Sequence, residues 1–404
     1  MKAPARIGFD ASSTVGPRTG IGVATAELLT ALLAVWPESW SLKVLVNSAR
    51  WAPPDGDAWP RSKRIELRRT RLPGRLLLRG WQWVGAPPIE WLLGPLELHH
   101  SPAGYLTPSR RARAVLTVHD VYFARGPEHP DPFGASYFRR TFPRRLASAG
   151  RVIASSEFTR GELIELYGLQ PERVHVVPLG VDPARFHATL TEADRRAVEP
   201  WAPDGPYWLC VSTIGPKRKN LTRLVEAYAR ARVHAPDLPP LVIAGRQDPG
   251  PELEALRRAI DAGGLDGRVR LTDYLPPPTL PSLYRAARAL VIPSLSEGFG
   301  LPALEAMACG CPVLAARAGA LPEVVGEAAL LFDPTSADAI AAAILQFDRE
   351  PPLREALRVA GIDRARRFTW AASAQATLGV YATALAEDSP GAAGRFRPSP
   401  RPNP

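Results

Sequence analysis

The sequence is poor in cysteine, and this scarcity narrows the classes of protein that fit it. Its 404 residues include three cysteines, Cys210, Cys309 and Cys311. Three cysteines cannot build a disulfide framework, and the spacing of Cys309 and Cys311 suits neither a zinc knuckle nor a redox pair. We therefore expect all three to be small, buried, apolar side chains.

Long apolar stretches are also missing. No run of about twenty uncharged apolar residues occurs, and a membrane-spanning helix needs such a run. The first residues lack the basic, apolar and cleavage regions of a signal peptide. We therefore expect a cytoplasmic protein whose contact with a membrane would be peripheral, at the inner face of the plasma membrane.

Positive charge is in excess, with a formal net charge of +10. Basic residues concentrate in residues 61–75, and Leu76 and the tryptophans Trp81, Trp83 and Trp91 follow them. Arginine beside leucine and tryptophan can hold a protein on an anionic membrane leaflet, and a solvated surface explains the same charge equally well. A nucleic acid partner is not expected, because no recognised binding module accompanies the charge.

Length and hydrophobic content indicate a globular chain with two domains. The chain is longer than one typical core requires, and 46% of its residues are hydrophobic. Strand-like and helical segments alternate, which predicts an α/β fold. We predict an N-terminal domain over residues 1–187, a linker over 188–206 and a C-terminal domain over 207–368. A helix over 369–387 and a disordered tail over 388–404 follow.

The most informative segment is residues 294–313, SLSEGFGLPALEAMACGCPV, which predicts a thin loop that leads into a helix. Pro302 suits the first turn of this helix, where a missing N–H costs nothing. The N-terminus of a helix offers unpaired N–H groups and a partial positive charge. The amides of Phe299, Gly300 and Leu301 are therefore candidates for binding a diphosphate.

Two glutamates flank this predicted anion site. Glu297 precedes it, and Glu305 lies about one turn inside the helix. Since a phosphate repels a carboxylate, we expect each glutamate to accept hydrogen bonds from neutral hydroxyls of a sugar or ribose. The segment therefore predicts a nucleotide-sugar site, and an amphipathic helix with a solvated acid at each end is the alternative.

The same segment resembles the signature of retaining glycosyltransferase family 4. Its GT-B fold is α/β, with two Rossmann-like doubly wound domains that face each other across a cleft. The resemblance implies that Glu297 reaches the hydroxyls of the donor sugar and that Glu305 holds the ribose. In this family the donor is a nucleotide-diphosphate sugar, and neither a cofactor nor a metal ion is expected.

Other segments match the same family. His119, with Asp120, follows a predicted strand, and the resemblance implies that this histidine contacts the donor sugar. Gly20 and Gly22 are similar to the acceptor-side glycine loop, where backbone approaches a ligand closely. The surrounding Thr-Gly-Ile-Gly and Thr-Val-His-Asp sequences look most like those of bacterial mannosyltransferases of surface-polysaccharide assembly. GDP-mannose is thus the first expected donor, with a glycan or lipid-linked acceptor.

The basic run in residues 215–221, GPKRKNL, is similar to the phosphate clamp of the family, with one more basic residue than the usual pattern. The resemblance implies that Arg218 and Lys219 neutralise the diphosphate, which departs as an anion. It also places Tyr274 and Leu275 where relatives hold the base by stacking and backbone contacts. A solvated charge run is the alternative for the basic residues.

The resemblance implies a front-face substitution in which the departing β-phosphate oxygen takes the proton of the acceptor. Positioning and charge stabilisation are then the tasks of the protein. A UDP- or dTDP-sugar donor, a nucleotide-sugar epimerase and an inactive scaffold that binds glycan or membrane remain open. A metal-dependent GT-A transferase would use Asp55 and Asp57, which we interpret as part of a turn.

Overall fold

The computed structural model describes residues 4–15, 20–48, 65–125, 138, 141–202, 205–276 and 278–387. The chain divides into two compact units, one formed by Met1–Leu179 with Trp370–Pro404 and the other by Gly180–Thr369. Each unit contains one parallel sheet, so the α/β prediction is confirmed. The predicted tail over 388–404 and the pair Asp55 and Asp57 lie outside the described residues.

The first unit has a seven-stranded parallel sheet in the order β3-β2-β1-β4-β5-β6-β7. Its strands are β1 (Ala5–Asp10), β2 (Trp40–Asn47), β3 (Ile65–Thr70), β4 (Leu98–Ser101), β5 (Arg113–Val118), β6 (Arg151–Ala154) and β7 (Val174–Val176). Its helices are α1 (Gly20–Ala34), α2 (Gly74–Arg79), α3 (Ile89–Leu93), α4 (Phe142–Ser148), α5 (Glu157–Tyr167) and, from the far end of the chain, α14 (Trp370–Ala386).

Helix α14 is part of the core of the first unit. Its 17 residues include no charged side chain, and its buried residues recur every three or four positions along one face. Trp370 and Tyr381 lie in one apolar cluster with Ile7 of β1 and Leu29 of α1. The Tyr381 hydroxyl also lies 2.6 Å from Nδ1 of the buried His100 in β4. A polar contact therefore joins the last described helix to the centre of the sheet.

The second unit repeats the strand order with six parallel strands, β10-β9-β8-β11-β12-β13. They are β8 (Trp208–Val211), β9 (Leu241–Ala244), β10 (Val269–Leu271), β11 (Ala289–Ile292), β12 (Val313–Ala316) and β13 (Ala329–Phe332). The helices are α6 (Glu192–Val198), α7 (Leu221–His234), α8 (Pro251–Ala262), α9 (Thr279–Ala286), α10 (Leu301–Ala308), α11 (Leu321–Val325), α12 (Ala337–Arg349) and α13 (Pro351–Ala365). The three cysteines are buried free thiols in this unit, as expected.

The boundary between the units differs from the prediction. It lies at residues 179 and 180 rather than 187 and 188, and residues 188–206 are part of the second unit instead of a linker. Thr191 caps α6, and Ser282 of α9 donates a hydrogen bond of 2.7 Å to Asp194 of α6. The polar composition and the prolines of this stretch predict a linker, whereas the structure contains the short helix α6. The buried carboxylate of Asp194 joins this helix to α9.

Candidate active site

The strand order of the second sheet reverses between β8 and β11, which are hydrogen-bonded neighbours. In doubly wound sheets, ligands bind beyond the carboxyl ends of the strands at such a reversal. The loops that follow these two strands hold the basic run and the start of the predicted signature. The amide of Leu295 donates to the carbonyl of Arg218 at 2.8 Å, so the two loops are joined through their backbones.

A cluster of two cations and one carboxylate lies at this junction. The Lys219 Nζ atom is 2.6 Å from Glu297 Oε1, and Arg218 Nη1 is 3.4 Å from Glu297 Oε2. The exposed fraction of the side chain is 16% for Lys219, 23% for Arg218 and 14% for Glu297. Water therefore screens their charges only partly. Arg218 also donates to the carbonyl of Ser296 at 3.1 Å.

The charges of this cluster fix the ionisation of Glu297. Burial by itself raises the pKa of this carboxyl, but the adjacent charges of Lys219 and then Arg218, with a hydrogen bond from Ser294, bring the pKa down to about 2. Glu297 is therefore a carboxylate at neutral pH, and the cluster carries a net charge of about +1. It can accept hydrogen bonds from hydroxyls while its cations attract an anion.

Next to this cluster, α10 begins with an uncapped N-terminus. Gly300 occupies the N-cap with a φ of 98°, no side chain caps the helix, and proline follows in the first turn. Within the described part of the chain, the amides of Phe299, Gly300 and Leu301 find no acceptor in the protein. The ring of Phe299 packs edge-on against Phe368 at 5.9 Å, so this residue offers only its backbone to a ligand.

Glu305 lies one turn inside α10 and is 5% exposed. The hydroxyl of Tyr284 in α9 donates to its Oε2 atom at 2.9 Å. Burial and the charge of Glu305 raise the pKa of Tyr284 well above its usual value, so the tyrosine remains a donor. Glu305 is therefore held in one orientation, and sequence spacing gave no indication of Tyr284.

A turn at Gly319 packs against the backbone of Glu297. Gly319 follows β12 with a φ of 59°, and a Cβ atom built there would lie 2.5 Å from the Glu297 carbonyl oxygen and 2.6 Å from its nitrogen. The amide of Ala320 donates to the same carbonyl at 2.9 Å. Since real Cβ atoms do not approach backbone so closely, only glycine allows this contact.

His119 lies in the first unit, directly after β5. Its Nε2 atom is 3.0 Å from the carbonyl of Pro102, so Nε2 carries the proton and Nδ1 is the acceptor of the neutral ring. Burial lowers the pKa of His119 and outweighs the opposing effects of Pro102 and Asp120. The histidine is therefore uncharged at neutral pH. It lines a cavity of about 20 Å³, large enough for a single water.

The other predicted residues of the first unit have different surroundings. Asp120 accepts a weak hydrogen bond of 3.3 Å from the amide of Tyr122, the turn-capping contact typical of aspartate. Gly20 and Gly22 do not form a loop, because α1 begins at Gly20. The Thr25 hydroxyl donates to the carbonyl of Ile21 at 2.9 Å, a contact between residues one helical turn apart.

Tyr274 and Leu275 follow β10 in the second unit, as predicted. The ring of Tyr274 is 43% exposed, and its amide donates to Asp273 Oδ1 at 2.7 Å. An exposed aromatic ring on a fixed backbone can stack on a planar ligand. The structure thus provides a stacking surface at this position.

Comparison with known proteins gives the family. The description "Glycosyl transferases group 1" matches residues 192–364, and "Glycosyltransferase Family 4" matches residues 20–185. Over 379 residues the chain is 34% identical to the O-antigen chain mannosyltransferase B of Escherichia coli, an alignment that covers 90% of this chain and 96% of that protein. The chain belongs to the group 1 glycosyltransferases.

A further sequence relative of this glycosyltransferase supports the family, and two solved structures support the fold. A D-inositol 3-phosphate glycosyltransferase of Kribbella flavida is 37% identical over 251 residues, which cover 59% of this chain and 58% of that protein. Sucrose-phosphate synthase from Thermosynechococcus elongatus matches with a TM-score of 0.74 at 23% identity and covers 95% of this chain and 99% of its own. The Anabaena protein HepE, in complex with UDP and glucose, matches with a TM-score of 0.70 at 19% identity over 94% and 100%. The predicted GT-B fold is confirmed.

Within the second unit of the glycosyltransferase, Arg218, Lys219 and Glu297 form one cluster. Lys217 lines a cavity of about 220 Å³ with residues from the first turns of α7 and α8, and neither Arg218 nor Lys219 lines that cavity. The structure therefore gives Lys217 different surroundings from Arg218 and Lys219, a difference that the sequence alone does not indicate.

Sequence reasoning missed Asn220, which follows these basic residues with a φ of 58°. Its Nδ2 atom donates to the carbonyl of Pro293 at 2.9 Å and to that of Pro334 at 2.8 Å. Asparagine tolerates this left-handed backbone better than most residues, and that tolerance is the signal the sequence offered. Asn220 holds the basic turn against the loop that follows β11.

Proposed function

We propose that this glycosyltransferase transfers a hexose, in the first instance mannose from GDP-mannose, to a glycan or lipid-linked acceptor in surface polysaccharide or glycolipid synthesis. Transfer proceeds with retention of the anomeric configuration and without a metal ion. The cluster of Arg218, Lys219 and Glu297 beside the free amides of α10 carries the proposal.

This arrangement suits the departure of a nucleoside diphosphate. Negative charge grows on the β-phosphate as the bond to the sugar breaks, and fixed cations and amides stabilise such charge without reorganising. Arg218, Lys219 and the amides of residues 299–301 provide that stabilisation, which a divalent cation supplies in other enzymes. Glu305, held by Tyr284, receives the ribose hydroxyls, and Tyr274 stacks on the base.

Orientation of the sugar falls to Glu297 and His119. The carboxylate of Glu297 accepts hydrogen bonds from sugar hydroxyls, and for His119 of the first unit the family resemblance implies a contact with the donor sugar, in which its neutral ring can accept through Nδ1. The departing β-phosphate oxygen takes the proton of the acceptor hydroxyl, and the new bond forms on the face from which the phosphate leaves. Cationic partners keep Glu297 ionised but reduce its basicity, which favours an orienting role over a nucleophilic one.

The identity of the donor rests on relatives. A mannosyltransferase aligns with nine-tenths of this chain, and an MMP alpha-(1->4)-mannosyltransferase of Mycolicibacterium hassiacum is 33% identical over 241 residues. A UDP-sugar is the second candidate, because HepE was crystallised with UDP and glucose. Peripheral attachment to the inner face of the membrane belongs to the same proposal.

Calorimetric titration with EDTA present tests the donor site. GDP-mannose, UDP-glucose and dTDP-rhamnose are titrated in parallel, and GDP-mannose is expected to bind most tightly. Lys219→Ala raises the Kd about tenfold or more because a charge-assisted hydrogen bond to phosphate is lost. Lys217→Ala is the matched control, with the same charge change at a side chain outside the cluster. Equal effects of the two substitutions would refute the assigned phosphate contact.

Glu297→Gln separates sugar binding from phosphate binding. The affinity for GDP should persist, because both cations remain, while the additional affinity for GDP-mannose and the turnover are lost. NMR of the first product shows its anomeric configuration, and an inverted product would refute retention. A requirement for divalent metal in turnover would refute metal independence.

A further inference from the structure

The segment 72–91 of the first unit exposes large apolar side chains at unusual density. Five of them lie within these twenty residues: Leu72, Leu76, Trp83, Val84 and Trp91. Trp83, Val84 and Trp91 are 62%, 79% and 65% exposed. Single exposed apolar residues are normal on soluble proteins, whereas a group of them marks an interaction site. We call these five side chains the apolar segment.

Contacts on the buried face of α2 and of the turn that follows it keep the side chains on the opposite face exposed to solvent. Helix α2 continues as a wider helical turn over Gly80–Val84, and its other face holds Leu77 and Trp81, which are 6% and 7% exposed. Trp81 donates from Nε1 to the carbonyl of Pro87 at 3.0 Å. With this face anchored, Leu76 and Trp83, about two helical turns apart, lie on the outer face.

Trp91, on the short helix α3, is held by a different contact. The guanidinium of Arg110 lies 5.0 Å from the centroid of its ring. The carboxylate of the neighbouring Glu90 accepts hydrogen bonds from the amides of Arg110 and Arg111 at 3.0 and 2.9 Å. Glu90 is thus engaged with backbone and holds the arginine loop beside the exposed indole.

Positive charge surrounds the apolar segment. The exposed arginines on it and on adjoining elements are Arg68, Arg69, Arg71, Arg79, Arg110 and Arg111, of which Arg68 is paired with Glu66. Tryptophan and leucine beside arginine suit the boundary between lipid headgroups and acyl chains, where the indole inserts and the guanidinium meets phosphate. A second copy of this chain would bring arginines against arginines in a protein of net charge +10.

We propose that the apolar segment and these arginines form a docking surface for an anionic lipid bilayer. The inference rests on the peripheral membrane attachment in the proposed function and names the surface that would provide it, and binding can be measured without nucleotide sugar or acceptor. Failure of membrane docking and failure of glycosyl transfer can therefore be distinguished.

Cosedimentation of the full chain with vesicles tests the surface. Vesicles of phosphatidylcholine alone are compared with vesicles in which about 30% of the lipid is the anionic phosphatidylglycerol, because an anionic surface attracts basic segments. Binding should require the anionic lipid and should weaken about fivefold for each arginine contact that high salt screens. The double variant Trp83→Ser, Trp91→Ser should lower the partition coefficient about tenfold or more.

The matched control is Val233→Ser with Val359→Ser, which removes two apolar side chains of the second unit that are 77% and 53% exposed. Its binding should stay within about twofold of the wild type, since neither side chain lies on the docking surface. Equal losses in both double variants, or equal binding to neutral vesicles, would overturn the proposal. A dimer in solution that the tryptophan variant dissociates would also overturn it.

The arginines provide a second test, should the tryptophan variant lose its native circular dichroism. Arg79→Gln with Arg110→Gln should remove most of the preference for anionic vesicles. An unchanged preference in that variant would overturn the proposal.

Discussion

Gly319→Ala offers a sharp test of how Glu297 is positioned. The new Cβ would lie 2.5 Å from the carbonyl oxygen of Glu297 and 2.6 Å from its nitrogen, where real Cβ atoms are essentially never found. Both contacts are to backbone, so no side chain can rotate away. The loop that carries Glu297 must therefore move by roughly half an ångström or more to reach normal contact.

Two costs add in this variant. Alanine at a φ of 59° is strained by about 1–2 kcal/mol. The steric overlap adds about 1–3 kcal/mol, the usual cost of overpacking. The sum corresponds to a decrease in Tm of roughly 4–20 °C for a unit of this size. Displacement of Glu297 should also lower kcat/KM by about tenfold or more, because sub-ångström errors at a reacting centre are costly.

Gly264→Ala is the matched control, because Gly264 has a φ of 60° and nothing within 4 Å of the Cβ position. It introduces the strain without the steric overlap. Differential scanning calorimetry and steady-state kinetics on both variants isolate the contact with Glu297. Equal Tm and equal kcat/KM in the two variants would refute the argument that the glycine turn positions this carboxylate.

Two further predictions concern buried polar groups. Because cations lower the pKa of Glu297 from 4.5 to about 2, they stabilise the fold above pH 4.5, and this contribution of about 3 kcal/mol is lost as the pH falls from 4.5 to 2. Urea unfolding against pH should show that loss in the wild type and not in Glu297→Gln, and parallel curves would contradict it. Tyr381→Phe removes the hydrogen-bond partner of His100 Nδ1 and should lower the free energy of unfolding by about 1–3 kcal/mol without changing the Kd for donor. A change of less than about 0.5 kcal/mol would contradict that account.

The sequence was most predictive where local chemistry determines structure. A proline after Gly-Phe-Gly fits the first turn of a helix, and α10 begins at Leu301 with proline in that turn. The apolar run before this loop is the buried strand β11. These features follow from backbone preferences within a few residues, so one sequence is enough to predict them.

Contacts between distant residues could not be predicted. Gly319 lies 22 positions after Glu297, and Tyr284 lies 21 positions before Glu305. Nothing in the spacing of these residues indicates that they touch, because the contacts depend on how the parallel strands are ordered. The family resemblance predicts an acceptor-side glycine loop at Gly20 and Gly22, yet both residues lie in α1, whose alanine- and leucine-rich sequence favours helix.

The position of α14 has a consequence for biosynthesis. A ribosome releases residues 1–179 first, but the core that contains Ile7 and Leu29 also requires Trp370 and Tyr381. The whole of Gly180–Thr369 must therefore emerge before this cluster can be completed, which differs from the usual order in which an N-terminal domain folds first. The second unit is continuous in sequence, so its whole core is available as soon as residue 369 has been made, whereas the core around Ile7 and Leu29 stays incomplete until α14 follows.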